Sequence, residues 1–353
     1  MAGVRPKESG WRSRTRSDDV FHTAQCEPFK VIDSSRRALV TGAGGFIGHH
    51  LVSFLKRQGW WVRGADVKHP EYAPTEADEF LLADLTKWES CLEATRDVDE
   101  VYALAADVGG MGYIATHNAE ILHGNTLISV HTLEAARQNG VRRYLFASSA
   151  CVYPDYRQTE ASVAPLREED VYPAQPQDAY GWEKLMTERL CTHYREDHGL
   201  ETRIARFHNI YGPLGTWRGG REKAPAAMCR KVATAKLTGD PSIEIWGDGE
   251  QTRSFCHIDD CIDGIWRLMR SDYALPLNIG QDRLVTINAL ADIVATIAGI
   301  TIHKKHVPGP QGVRGRNCDN TRARTELGWT PRLSLEEGFA RTYAWIEGEL
   351  RRG

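Results

Sequence analysis

Ala38-Leu39-Val40-Thr41-Gly42-Ala43-Gly44-Gly45-Phe46-Ile47-Gly48 is a short apolar run that breaks into glycines at 42, 45 and 48. Glycine permits a tight turn and lets the backbone approach a pyrophosphate. After Gly48 the apolar period changes from strand to helix, with Ile47, Leu51, Phe54 and Leu55 on one face. The free N–H groups of that helix N-terminus then point at the phosphates. Gly42, Gly45, Phe46, Ile47 and Gly48 are therefore the expected cofactor loop. Asp66 ends the next apolar run, Trp61 to Ala65, 24 residues after Gly42. A carboxylate there accepts bonds from ribose hydroxyls and repels a 2′-phosphate, which favours NAD over NADP. Tight packing alone can also select three glycines, but it gives no reason for Asp66.

Outward from this run, strands and helices alternate from Arg37 to Arg206. Strands are expected near 37–41, 61–65, 79–82, 100–105, 142–147 and 201–206, with helices between them. The pattern predicts an α/β protein with a Rossmann-type doubly wound parallel sheet. After Phe207 the chain is richer in Gly, Pro and Trp and its periodicity is more broken. Residues 31–206 are read as the dinucleotide-binding domain, and 207–353 mainly as a smaller C-terminal substrate domain with some segments returning to the core. One capped helix is expected to begin at Thr286 and another near Ser334, running towards Leu350. Residues 1–30 are polar and rich in Arg and Ser, the composition of a mobile arm. Glu8, Asp18 and Asp19 count against a transit peptide.

At 353 residues the chain exceeds the usual single-core size. Its net charge is −3, with no single-sign block suited to a nucleic-acid arm, so no nucleic-acid partner is expected. It has no apolar run of 18 residues, and no membrane partner is expected either. Eight cysteines, at 26, 91, 151, 191, 229, 256, 261 and 318, lack paired CxxC spacing. That fits neither a zinc site nor a disulfide framework, so no metal is expected and a reducing, cytoplasmic setting is the default.

Tyr180 and Lys184 are four apart in a segment that continues as a helix towards His193, and so share one face. An ammonium beside a phenol is expected to lower its pKa and make Tyr180 a base for a hydroxyl proton. Alone, this spacing more often marks a solvated helical face. Ser149 stands at the carboxyl end of the 142–147 strand, where an open α/β sheet binds its ligands, and can bond the same substrate oxygen. Strand-end serines are commonly turn formers. Cys151 follows two residues later; a thiol beside an oxidising centre suggests an acid or base working on carbon, although cysteine is often a small core residue.

Thr41-Gly42 to Gly48, Asp66, Asp84 in Leu82-Ala83-Asp84-Leu85-Thr86, Leu104-Ala105-Ala106-Asp107, Ser149, Tyr180 and Lys184 occur in an order that resembles the extended short-chain dehydrogenase/reductase family. This is the family of nucleotide-sugar epimerases and dehydratases, and the resemblance covers essentially all of the chain after residue 30. It implies NAD as cofactor, with Asp84 on the adenine side, and a homodimer. Four runs narrow the resemblance to a branch acting on GDP-mannose: Ala105 to Gly112, Ser148 to Pro154, Arg206 to Gly212 leading into Gly219-Gly220-Arg221-Glu222-Lys223-Ala224-Pro225-Ala226-Ala227, and Pro308 to Asn317.

That branch implies inversion at carbons 3 and 5 of the hexose. Those C–H bonds are too weakly acidic for any side chain until carbon 4 is oxidised to a ketone. The resemblance gives Tyr180 the hydroxyl proton, with Ser149 and Lys184 stabilising the oxygen anion. Cys151 and Lys223 are the candidate acid and base on opposite ring faces. Lys231 binds substrate by resemblance, and Gly109, Asn209, Glu222, Ala224, Gln251, Arg253 and Arg316 match further substrate-contact positions. The second candidate is a branch that epimerises and reduces GDP-4-keto-6-deoxymannose with NADPH; Asp66 and the Lys223 loop count against it. A non-catalytic nucleotide-binding redox sensor would lack one of Ser149, Tyr180 or Lys184, and all three are present.

Overall fold

The computed structural model describes residues 36–352; the arm expected over 1–30 lies outside them, as does Cys26. The first half of the described chain runs β1 (Arg37–Thr41), α1 (Phe46–Arg57), β2 (Trp61–Asp66), β3 (Glu79–Leu82), α2 (Trp88–Ala94), β4 (Glu100–Ala103), α3 (Met111–Ile114), α4 (Asn118–Gln138), β5 (Arg143–Ser149), α5 (Ala179–His198) and β6 (Glu201–Phe207). The second half runs β7 (Ile210–Tyr211), α6 (Ala224–Thr238), β8 (Ser242–Trp246), β9 (Thr252–Arg253), β10 (Cys256–His257), α7 (Ile258–Arg270), β11 (Pro276–Ile279), β12 (Val285–Thr286), α8 (Ile287–Ala298), β13 (His303–Val307), β14 (Gly315–Arg316), α9 (Thr321–Leu327) and α10 (Leu335–Arg352).

Seven strands form one parallel sheet in the order β11-β6-β5-β4-β1-β2-β3. The doubly wound sheet expected from the alternation is present. Its central strands are buried along nearly their whole length rather than on alternate residues, because helices cover both faces. Leu51, Leu55, Ile262 and Ile265 from α1 and α7 pack one face, and Leu133, Ala136 and Cys191 from α4 and α5 the other. β1 is paired on one side with β2 and on the other with β4, so the winding reverses between β1 and β4. A crevice opens at the carboxyl ends there, the place where open α/β sheets take their ligands.

β4 stops at Ala103 rather than at 105, since Leu104 and Ala105 both donate their N–H to Thr41 Oγ1 at 3.1 Å, which takes them out of the ladder. β5 extends to Ser149, two residues beyond the expected end, because its ladder with β6 continues to the Ser149–Phe207 pair. After Phe207 the chain moves between two regions. α7, β11 and α9 lie with the sheet, while α6, α8 and α10 enclose a second core containing Met228, Val232, Leu290, Val294, Phe339 and Ile346. Thr286 accepts from Ala289 N at 2.9 Å and so caps α8. Before α10, Ser334 Oγ accepts from Glu337 N and donates to the Glu337 carboxylate, a reciprocal cap.

Beneath the carboxyl end of β5 lies a buried ionic network. Arg206 on β6 is bonded to Glu188 on α5 by Nε at 2.8 Å and Nη2 at 2.7 Å, and Ser148 Oγ donates to the same carboxylate. Arg206 Nη1 also donates to Tyr153 OH, whose own hydrogen goes to Asn278 Oδ1 on β11. Such a network is costly to break, since either partner alone is a buried charge without its counterion. It ties β5, α5, β6 and β11 together immediately below the residues that carry the chemistry.

Candidate active site

β1 delivers the chain into the glycine loop, and Gly45 caps α1. A Cβ on Gly48 would lie 2.1 Å from Gly42 O, and one on Gly44 would lie 2.0 Å from Lys68 O. The loop is thus drawn onto its own helix and onto the end of β2. Gly44 donates its N–H to Asp66 Oδ2 at 3.0 Å, and Lys68 N donates to Asp66 Oδ1 at 3.2 Å. Burial pushes the Asp66 carboxyl above its ordinary value, and these bonds act in the opposite direction. Gly44 was absent from the residues picked out in the sequence, although it stands inside the glycine run. The first turn of α1 has no acidic residue and no side-chain cap, so its N–H groups are left to an outside anion. Loop, helix end and Asp66 together fit a dinucleotide. Asp84, just past β3, is exposed; bonds from Thr86 N and Oγ1 hold its carboxyl below the usual range.

On the other side of the crevice, Ser149 is the last residue of β5 and Cys151 lies in the 3₁₀ turn that follows. Ser149 Oγ accepts from Cys151 N at 3.2 Å and lies near enough to Tyr180 to act on its phenol. Asp178 caps α5 by accepting from Gly181 N at 2.8 Å, which puts Tyr180 in the first turn and Lys184 one turn further on. The residue after Tyr180 has to be glycine: a Cβ at 181 would lie 2.2 Å from Cys151 O. Ser149, Cys151 and Tyr180 are thereby held together by a strand end, a turn and a helix start.

One acid–base expectation is corrected. Lys184 does not bring the Tyr180 phenol down; burial pushes the phenol well above its ordinary value, with Cys151 and Glu183 acting the same way and Ser149 against them. The physical reason is the placement of the ammonium. Lys184 Nζ stands 5.4 Å from the Tyr180 ring centroid and 4.7 Å from that of Phe146, and 3.7 Å from Glu183 Oε2, a fully buried carboxylate. Glu183 was not foreseen, because adjacent residues on a helix normally diverge.

Lys223 comes from the opposite wall as the residue that caps α6. It is open to the crevice yet surrounded by enough protein that desolvation lowers its pKa; Cys151 acts on it in the other direction, which places thiol and ammonium on one pocket. Ala224 begins α6, and the Glu222 carboxylate is taken by Arg230 Nη2 and Gly220 N. Arg316 on β14 donates from Nη1 to Cys151 Sγ at 3.4 Å and from Nε to Gln158 Oε1. Beside it, Arg253 on β9 donates only to the carbonyls of Thr252, Gln311 and Val313, and burial followed by Arg316 lowers its pKa. Two adjacent guanidiniums, with a thiol and backbone carbonyls for company, favour an anionic ligand.

The remaining candidates spread outward from this centre. Asn209 has φ of 45° and donates to Ser254 O. Gln251 donates to Trp246 O and leaves its own buried oxygen without a donor. Gly109 sits against Tyr113, and Lys231, two turns along α6, donates to Glu244 O on β8. Seven cysteines among the described residues are free thiols, of which Cys151 alone is half-buried and the others buried. Among the described residues no group of three or more His, Cys, Asp or Glu is arranged to hold a metal, and no helix is long and apolar enough to cross a membrane.

A doubly wound sheet with a dinucleotide loop at its switch point, and a Ser–Tyr–Lys set at the end of β5 and start of α5, defines a nicotinamide-dependent enzyme of the extended short-chain class. The chain belongs to the NAD dependent epimerase/dehydratase family, which it matches over residues 38–280. NAD is its cofactor. Over 318 residues it is 50% identical to GDP-mannose 3,5-epimerase 1 of Oryza sativa subsp. indica, covering 90% of this chain and 83% of that one. It is likewise 50% identical over 315 residues to GDP-mannose 3,5-epimerase of Arabidopsis thaliana, covering 89% and 82%. Among solved structures, UDP-glucose 4-epimerase of Thermotoga maritima with UDP-glucose superposes with a TM-score of 0.81 at 26% identity, over 89% of this chain and 99% of that chain.

Proposed function

We propose that this enzyme inverts carbons 3 and 5 of GDP-mannose through transient oxidation at carbon 4. The observation that carries the reading is the pairing of two proton carriers from opposite walls, Cys151 after β5 and Lys223 before α6, around Ser149 and Tyr180. Tyr180 and Ser149 are placed to bind the carbon 4 oxygen, and Tyr180 to take its proton; the positive charge of bound NAD would act to lower the phenol that burial raises. The 42–48 loop and Asp66 would hold NAD, which would supply a reversible hydride acceptor for carbon 4 and make turnover redox-neutral. With carbon 4 a ketone, the hydrogens on carbons 3 and 5 become acidic, and loss of either gives an enolate. Cys151 and Lys223 remove and return protons on the two ring faces. The Arg253–Arg316 pair suits the diphosphate, and Arg316 also holds the Cys151 sulfur in place.

The reductive branch acting on a 4-keto-6-deoxy sugar is not favoured, given 50% identity over 90% of the chain to an epimerase of GDP-mannose. Two copies are proposed to associate through α4 and α5, which pack side by side and present Leu122, Trp182 and Met186, each more than 40% exposed. What supports a cytoplasmic setting is that the described cysteines are unpaired thiols. The deciding experiment is turnover of GDP-mannose by the purified protein in deuterated water, with the sugars resolved by NMR. Deuterium is expected at carbons 3 and 5, with the original hydrogen kept at carbon 4. Washout at carbon 4, or none at carbons 3 and 5, sinks the reading.

A further inference from the structure

The loop that carries Lys223 is fastened on two sides, by contacts for which the proton chemistry itself has no use. On one side Glu222 ties it to α6: Oε1 accepts from Arg230 Nη2 at 2.8 Å, Oε2 from Gly220 N at 2.7 Å, and Arg230 Nε donates to Trp217 O. This fastening is the more buried of the two, with the Glu222 and Arg230 side chains 10% and 31% exposed. On the other side the loop meets the segment after β4. Gly110 N donates to Arg221 O at 3.1 Å, and a Cβ on Gly110 would lie 2.7 Å from Glu222 O. The Arg221 guanidinium lies 3.8 Å from the centroid of the Tyr113 ring, and its Nη1 donates to Asp107 Oδ1 at 3.1 Å. Tyr113 OH donates to the second oxygen, Asp107 Oδ2, at 2.7 Å.

Both carboxylate oxygens of Asp107 are therefore occupied, one by each of two groups that also stack on one another. The geometry is specific because a guanidinium over an aromatic face and a charge-assisted hydrogen bond must be satisfied together. Yet the Asp107–Arg221 pair is open to water, with side chains 38% and 49% exposed. Exposed pairs are weak, so this side can release and re-form more readily than the Glu222 side.

We propose that Asp107, Tyr113 and Arg221 form a clasp that closes the 219–223 loop over the sugar and positions Lys223 for proton transfer. The three are positioning residues, and the proposal rests on the epimerase reading above. The titratable group facing Lys223 is Cys151; Glu222 and Arg230 are paired with each other, and Arg221 with Asp107.

The test uses the NAD-loaded enzyme and compares Asp107→Asn, Tyr113→Phe and Asp107→Glu with the unaltered chain. Two rates are followed: reduction of the bound cofactor on mixing with GDP-mannose, and deuterium uptake at carbons 3 and 5 in deuterated water. Asp107→Asn should slow uptake by about 100-fold, the scale of a 1 Å misplacement, with cofactor reduction within about twofold. Tyr113→Phe should show the same selective loss more weakly, and Asp107→Glu should recover part of it. Unchanged uptake in Asp107→Asn overturns the clasp, and so does an equal fall in reduction and uptake, which signals general damage to the pocket. Absence of uptake at carbons 3 and 5 in the unaltered enzyme overturns the epimerase reading itself, and the clasp with it.

Discussion

The pyrophosphate loop and the sugar pocket open at the same edge of one sheet and are built in opposite ways. The loop is nearly continuous, residues 42–48 with one carboxylate from the next strand, and it works through backbone N–H groups and the space left by missing Cβ atoms. The pocket takes Ser149 and Cys151 from the end of β5, Tyr180 and Lys184 from α5, Lys223 from the start of α6, and Arg253 and Arg316 from β9 and β14. It works through the ends of side chains whose behaviour depends on what surrounds them. A backbone site suffers from any added atom, whereas a side-chain site suffers from loss of one functional group. Different chemistries can therefore be grafted onto the pocket while the loop stays the same.

The largest effect is expected where the pocket initiates the reaction. Tyr180→Phe should abolish oxidation and both epimerisations, with a loss at or beyond the roughly 10,000-fold upper range for a missing acid or base. Hydrogen exchange at carbons 3 and 5 should vanish with it, since only the carbon 4 ketone makes those hydrogens acidic. Exchange that persists in this variant, followed by NMR, would break the idea of a single order of steps.

Next come the two proton carriers. Cys151→Ala and Lys223→Ala should each lower epimerisation by about 100-fold to 10,000-fold while leaving hydride transfer possible. Reduced cofactor and 4-keto sugar should then build up, seen as near-ultraviolet absorbance. Near-normal turnover per folded molecule in Cys151→Ala would reduce the thiol to a packing group.

On the loop side, Gly48→Ala places a methyl 2.1 Å from Gly42 O, and the backbone must move. A cost of about 1–3 kcal/mol is expected for such overpacking, which is about 5-fold to 150-fold in NAD affinity. Catalysis at saturating NAD should change little. Calorimetric titration of cofactor-stripped protein checks this, and an unaltered affinity would erase the contrast between the two regions.

The smallest effect concerns the support below the pocket. His208 is fully buried with Nε2 against Asn278 Oδ1 at 2.9 Å, and burial pushes its pKa down to about 3, with the Asn278 bond acting the other way. Its folded value is below the ordinary 6.5, so its contribution to stability is complete above pH 6.5 and is lost as the pH falls from there towards 3. The slope from one such group is at most about 1.4 kcal/mol per pH unit. His208→Gln should flatten this acid limb in urea unfolding measured at several pH values; an identical limb would assign it to other groups.

Six strands of the main sheet were legible because each carries apolar residues between turn residues, while the edge strand β11 was not foreseen; the caps at Thr286 and Ser334 were legible because a cap is a local hydrogen bond. Ser149, Tyr180 and Lys184 could be found by spacing for a similar reason: strand end and helix start set their directions. Glu183 beside Lys184, and the Asp107–Tyr113–Arg221 cluster, had no such signal. Asp107 and Arg221 are 114 residues apart, and nothing in either neighbourhood records the other.

What the sequence by itself determined is therefore the class of the enzyme and its cofactor: the glycine loop, Asp66 and the alternation of elements follow from backbone sterics and periodicity, which act over a few residues. Tertiary structure alone decided how the acid–base groups stand. The Tyr180 phenol is raised rather than lowered, Lys184 is turned towards a buried carboxylate, and the Lys223 loop is held shut from across the crevice. The reason is physical. Desolvation and charge pairing depend on which atoms surround a group in space, and those atoms are brought there by parts of the chain far away in sequence.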